Sequence, residues 1–233
     1  MRNDQISASL LQDTFENAEY AFVEKFLQPG MTVLDIGANQ GFYTLLSSRK
    51  VGTHGKVYAF EPSPRELRRL KLHLWLNRCK NVQVSALALG AAHGSAELHV
   101  VLGTESGCNS LRTPDVSQPT RLVPVPVERL DDVLKAREIV TVDFVKLDVE
   151  GAELSVLQGA RELLQRSPRP VILAEVQDLR TKPWGYRARD IVSYLSELGL
   201  HWFELKPGGQ LEKLSLNRES YDGNFVAIPQ ERI

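Results

Sequence analysis

Cysteine is scarce in this sequence: Cys79 and Cys108 are the only two, and they form no CxxC or Cys/His spacing. That argues against a disulfide framework and a structural zinc site, and both thiols read as bystanders. Long apolar runs are missing as well, the longest being a handful of residues where a bilayer span needs roughly 20. Met1–Leu11 lacks the basic-then-apolar pattern of a signal segment, so the expected location is cytoplasmic. Nor does one sign of charge dominate. The 28 Lys and Arg stand against 29 Asp and Glu, leaving a net −1 that gives the molecule as a whole no electrostatic reason to seek nucleic acid or an anionic membrane. The expected partner is a small or neutral molecule, with neither nucleic acid nor membrane involved; nothing speaks to the oligomeric state.

What is present is the composition of an ordinary globular chain: 42% of the 233 residues are hydrophobic, enough to exclude disorder. Short β-branched runs alternate with longer helical ones, the pattern of an α/β fold with a parallel sheet covered by helices. Strands are expected at Thr32–Ile36, Lys56–Phe60, Val82–Ala86, Val142–Leu147, Pro170–Glu175, Trp202–Leu205 and Gly223–Ile228. Helices are expected at Gly41–Val51, Pro64–Asn77, Ala152–Gln165 and Ala188–Leu198, and the amphipathic stretch Gln5–Leu27, with Phe15, Tyr20, Phe22 and Phe26, reads as a further helix. Residues 1–29 thus form an N-terminal helical segment or lid, and residues 30–233 one domain. Extra strands Glu97–Val101 and Leu122–Val127 flank the Gly/Ser/Thr/Pro-rich stretch Gly103–Thr120, an insertion at about 95–128 that reads as an active-site cover or a disordered stretch.

The most informative segment is Val33-Leu-Asp35-Ile-Gly37-Ala-Asn39-Gln-Gly41-Phe-Tyr43-Thr44, an apolar strand running through a glycine turn into a helix. Open α/β sheets bind ligands in the crevice at the carboxyl ends of such strands. Glu61 follows 26 residues after Asp35, just past the second expected strand, where a carboxylate can accept hydrogen bonds from two ribose hydroxyls. The glycines stand four apart, not in the G-x-G-x-x-G arrangement of a dinucleotide site, and no phosphate-binding G-x-x-x-x-G-K-[ST] occurs. A carboxylate at Asp35 repels pyrophosphate but suits S-adenosylmethionine, whose ammonium and sulfonium are cationic.

These residues resemble the FkbM family of S-adenosylmethionine-dependent methyltransferases. Three blocks carry the likeness: Leu34–Thr44, Ala59-Phe-Glu-Pro62, and Asp143-Phe-Val-Lys-Leu-Asp148-Val-Glu150-Gly151-Ala-Glu153. Gly107–Leu111 and Val127–Asp132 add to it, and it runs from about Gly30 to Glu175. The resemblance implies a class I methyltransferase, a Rossmann-like three-layer sandwich with a seven-stranded sheet, six strands parallel and one antiparallel. It implies Asp35, Gly37, Asn39, Gly41 and Thr44 around the amino-acid end of the donor, with Tyr43 either helping or packing. Glu61 would take the ribose, and Ala86 and Leu87 would wall the adenine.

Methyl transfer is an in-line displacement at an already activated carbon, so the protein has to align the acceptor and, for a hydroxyl, remove its proton. Asp148 would end the fourth strand facing the donor's methyl, Glu150 follows in the turn, and Glu175 ends the fifth strand. The three read as a base cluster or as ligands of a divalent cation such as Mg, with helix capping as the structural alternative for Asp148 and Glu150. Glu153 reads as structural. Asn109 and Ser110 either orient an acceptor or make loop hydrogen bonds, and Trp184 and Tyr186 offer aromatic faces to a ring or pack locally. The basic run Arg65–Lys71 reads as a solvated helix face. The expected reaction is O-methylation of a small hydroxylated molecule, a sugar or natural-product scaffold; carboxyl or N-methylation and a non-catalytic donor-binding module are the alternatives.

Overall fold

The computed structural model describes residues 16–105 and 107–233. Helix α1 (Asn17–Phe26) leads to strand β1 (Thr32–Ile36), helix α2 (Phe42–Val51), strand β2 (Lys56–Phe60), helix α3 (Pro64–Leu76) and strand β3 (Val82–Ser85). Three strands interrupt the alternation: β4 (Ala88–Leu89), β5 (Gly94–Val101) and β6 (Thr120–Glu128). The main pattern resumes with α4 (Leu130–Ala136), β7 (Phe144–Leu147), α5 (Glu153–Gln158), α6 (Arg161–Gln165), β8 (Val171–Gln177), α7 (Asp178–Thr181) and α8 (Ala188–Glu197). It closes with β9 (Leu200–Lys206), β10 (Gln210–Lys213) and β11 (Asp222–Pro229). The N-terminal part of the helix expected over Gln5–Leu27, Phe15 included, lies outside the described residues.

The main sheet has the order β10-β9-β11-β8-β7-β1-β2-β3. Six strands run the same way, and β11 and β10 run against them. The architecture is the three-layer α/β sandwich of class I methyltransferases. It holds one strand more than the seven expected from the sequence, because β10 adds an antiparallel edge to β9. Helices cover both faces, so the central strands are apolar on both sides, as parallel sheets require. Alternation then assigns each residue to a layer. Leu34, Ile36, Val145, Leu147, Ile172 and Ala174 pack into one core, and Val33, Phe144, Val171 and Leu173 pack into the opposite one with Phe22 and Val23 of α1 and Tyr43 and Leu46 of α2.

By the same parity Asp35 and Lys146, paired in register on adjacent strands, and Glu175 on β8 fall in the layer of α1 and α2. They are the polar continuation of that core at the strand tips. The inserted strands form a second sheet, β4-β6-β5. The stretch between β5 and β6 contains no helix or strand among its described residues, but is pinned by a bridge between His99 and Ser110. Among the described residues no helix is long and apolar enough to cross a membrane.

Candidate active site

At the tip of β1 the chain turns at Gly37 with φ +83°, and a Cβ there would lie 1.7 Å from the carbonyl oxygen of Asp148. Glycine is required because the turn is pressed against the end of β7. Asn39 adopts the left-handed region at φ 48°, and its N–H donates to Glu61 Oε2 at 2.7 Å. The Ser63 N–H donates to Glu61 Oε1, also at 2.7 Å, so the carboxylate after β2 is held between the glycine turn and the start of α3. Asp35, only 2% exposed, accepts a hydrogen bond from the Thr44 hydroxyl at 2.5 Å. Burial, opposed by the bond from Thr44, raises the Asp35 carboxyl to about 6. Burial likewise raises Glu61 to about 8, against the two N–H donors that favour its charged form.

Asp35 and Glu61 line one cavity of roughly 240 Å³. Phe60, Leu87, Ala88, Leu89 and Leu98 form its apolar wall, and Cys108, Asn109 and Leu111 of the insertion close over it. Its other end is lined by carboxylates. Asp148, Glu150 and Glu175 bring oxygens within 4.8 Å of one another, and Glu16, the residue that precedes α1, lines the same cavity. Lys146 stands among them, 2% exposed, with Nζ 3.3 Å from Asp148 Oδ2 and 3.1 Å from Asn224 Oδ1. The ammonium also lies 5.2 Å from the centroid of Tyr43, whose hydroxyl donates to Glu16. Burial pulls the Lys146 pKa down, but Asp148, Glu16 and Glu175 together push it above its ordinary value.

Burial and the neighbouring Asp148 raise Glu150 to about 8 and carry Glu175 well above the usual carboxylate range. Arg180 Nε lies 2.9 Å from Glu150 Oε2, near enough to pair but out of line for a hydrogen bond. Among the described residues, none gives a hydrogen bond to the buried Glu175 Oε2 or Asn39 Oδ1. Buried acceptors of this kind call for donors that a ligand brings.

The geometry brings together Asp35, Gly37, Asn39, Tyr43, Glu61, Leu87, Asn109, Asp148, Glu150 and Glu175 of the residues singled out from sequence. Others stand outside the cavity. Thr44 acts behind Asp35, and Gly41 forms the turn that starts α2. Ala86 is exposed, and the wall is made by the next three residues, Leu87, Ala88 and Leu89. Ser110 donates to the carbonyl of Glu150 at 2.9 Å, and the Tyr186 hydroxyl donates to that of Gly151, so both brace the turn after β7. Trp184 packs beneath the Arg112 guanidinium, 4.6 Å from its ring. Asn109 lines the cavity with its amide already committed, accepting from the Val101 N–H and donating to Glu66. Glu153 accepts from the N–H groups of Val149 and Gly151, a structural role. Glu16, Lys146 and Cys108, none of them singled out from the sequence as site residues, also line the cavity, Cys108 beside Arg180.

The cavity suits S-adenosylmethionine in chemistry. The Asn39 oxygen and the Asp35 carboxyl can meet its ammonium, the Glu61 oxygens keep lone pairs for ribose hydroxyls, and the apolar wall can take a base. A mostly parallel sheet with acidic groups on successive strand tips, lining one cavity with a further cluster of carboxylates, is the arrangement of a class I methyltransferase. The chain belongs to the FkbM methyltransferase family, whose S-adenosylmethionine-dependent members share the model described as the Methyltransferase FkbM domain, matched here over residues 35–201.

It is 31% identical over 143 residues to Methyltransferase 1 of Beauveria bassiana, a match covering 54% of this chain and 57% of that protein. It is 29% identical over 181 residues to the 31-O-demethyl-FK506 methyltransferase FkbM of Streptomyces tacrolimicus, covering 66% and 68%. The crystal structure of methyltransferase FkbM from Methylobacillus flagellatus superposes with a TM-score of 0.57 at 18% identity, over 89% of this chain and 47% of that one, and shares the fold. The chain spans 57% and 60% of the first two curated relatives it matches.

Proposed function

We propose that this protein transfers a methyl group from S-adenosylmethionine to a hydroxyl oxygen of a small molecule, a sugar or a natural-product scaffold. The observation that carries the reading is the single cavity shared by Asp35, Glu61 and the carboxylate cluster. The donor supplies an electrophilic methyl on a sulfonium. Asp35 and Asn39 hold its amino-acid end, Glu61 its ribose, and the wall from Leu87 to Leu89 its base. Asp148, Glu150 and Glu175 take the proton of the acceptor hydroxyl, and Lys146 and Arg180 limit the charge that builds up there.

The electrostatics favour a hydroxyl over a carboxylate or phosphate acceptor. Glu150 and Glu175 already hold their protons more tightly than exposed carboxylates because negative charge is costly here, and an anionic acceptor adds more. The relative named a 31-O-demethyl-FK506 methyltransferase acts, by its name, on an oxygen. A product-release assay with purified protein, the donor and panels of hydroxyl, carboxyl and amine acceptors tests the reading. Turnover confined to carboxyl or amine acceptors overturns it, and tight donor binding without any turnover favours a binding module.

A second reading rests on the unpartnered Glu175 oxygen and the all-oxygen donor set: Asp148, Glu150 and Glu175 would hold a hard divalent cation such as Mg, which would lower the pKa of the acceptor hydroxyl. Lys146 and Arg180 compete with it for the same carboxylates. Calorimetric titration of the chelator-treated protein with magnesium decides this, because the cation either binds or does not, whatever the activity.

A further inference from the structure

Helix α3 buries Glu66, Leu70 and Leu74, at i, i+4 and i+8, against the sheet. The opposite face is not uniformly polar, as a solvated helix face would be. Leu72, Trp75 and Leu76 are 52%, 74% and 60% exposed, and their i, i+3, i+4 spacing makes one apolar patch. Arg68 and Lys71, both exposed, share that face. No Asp or Glu occurs from Leu67 to Ala96. Directly beyond the C-terminal end of α3 opens a second cavity of roughly 690 Å³, lined by Arg49, Lys56, Arg78 and Lys80. All four cations are exposed, and among the described residues no carboxylate lines the cleft.

We propose that the outer face of α3 and this basic cleft together dock the protein on an anionic phospholipid surface. The apolar patch enters the interfacial zone of the bilayer while the cleft takes an anionic headgroup phosphate. Apolar side chains, a tryptophan and basic residues on one helix are the combination that holds a helix at the membrane interface. The net charge of −1 hides this, because the acids that balance the cations lie elsewhere in the chain. A second copy of the chain fits less well, since a two-fold contact would set the same cations against each other. Nucleic acid accounts for the cations but leaves Leu72 and Leu76 without a role, as they offer no face on which a base stacks.

The test is co-sedimentation of the full chain with phosphatidylcholine vesicles with and without phosphatidylglycerol. Binding is expected only to the anionic vesicles, with tryptophan emission moving to the blue, because Trp75 is the most exposed of the three tryptophans while Trp202 is buried. Leu72→Ser/Trp75→Ser and Arg78→Glu/Lys80→Glu should each weaken vesicle binding by roughly tenfold or more. These residues lie outside the active-site cavity, so both variants should keep the parent's affinity for S-adenosylmethionine, which certifies their fold. The proposal is overturned if the parent ignores the anionic vesicles or if both variants bind like the parent. It is overturned equally if glycerol phosphate fills the cleft as tightly as vesicles do, if Trp75→Ser instead dissolves a dimer, or if single-stranded RNA displaces the vesicles and binds more tightly than they do.

Discussion

Lys146 is the residue through which the acidic half of the site is connected. It touches Asp148 and Asn224 directly, stacks against Tyr43, and lowers the cost of charge on both Glu150 and Glu175. Removing that positive charge by Lys146→Met should lower kcat by on the order of tenfold or more, with Lys146→Arg recovering part of the loss. The pH profile gives a sharper readout. A base whose pKa stands near 8 is protonated at neutral pH, so turnover should climb as pH rises through about 8. In Lys146→Met that rise should move to higher pH; an unmoved profile would mean that the lysine is only packing. On the donor side, Glu61→Ala leaves two ribose hydroxyls without their acceptor, and calorimetry should show donor affinity reduced by more than about tenfold. Asp35 and Glu61 could be read from the sequence because each ends an apolar strand in a local motif. Lys146 left a weaker trace, a charge at a position where strand alternation puts a buried side chain. Glu16 left none, since only tertiary packing of α1 brings it to Tyr43.

The elements of the sheet were legible for a simple reason: β1, β2 and α3 are bounded by the glycine, proline and polar residues that end them, and their edges fall within a residue of expectation. Others were not, and two of these show why. Ala152–Gln165 has the periodicity of one helix but forms α5 and α6, broken at Gly159 and Ala160. A Cβ on Gly159 would lie 2.1 Å from the carbonyl oxygen of Gly90, a close approach at the break that helical spacing cannot reveal. Strand β10 is short, polar and largely exposed, with no hydrophobic signal because only backbone pairing to β9 defines it. The broken helix gives a motif residue its role. Asp131, in the segment after β6, accepts from the N–H groups of Glu162 and Leu163 and so closes the start of α6. Asp131→Ala should cost about 1–2 kcal/mol in denaturant unfolding, as lost helix caps do, while donor affinity stays unchanged. A large fall in donor affinity would instead place Asp131 in the site.

At the scale of the whole molecule, the concentration of buried acids at the strand tips has a consequence for stability. Asp35 stands at about 6, Glu153 at about 7, and Glu61 and Glu150 at about 8, each raised first by burial. The unfolded chain releases those protons near pH 4, so between about pH 4 and pH 8 the folded protein binds more protons than the unfolded one. Stability is therefore fully present below the unfolded values and falls as pH rises through the folded ones, opposite in sign to a protein held together by ion-paired carboxylates. Glu231, held down to about 2 chiefly by its bond with Arg169, has the ordinary sign, but its contribution is complete by about pH 5 and does not reverse the trend above it. Urea midpoints measured between about pH 5 and pH 9 should accordingly decline. Saturating S-adenosylmethionine should flatten the decline, because its cationic groups favour the ionised carboxyls, and donor binding at neutral pH should release protons, seen as a dependence of calorimetric heat on the buffer's ionisation enthalpy. A midpoint that rises with pH in the ligand-free protein, or donor binding with no proton release, would mean that these carboxyls are already charged and that the donor site is not tuned by burial.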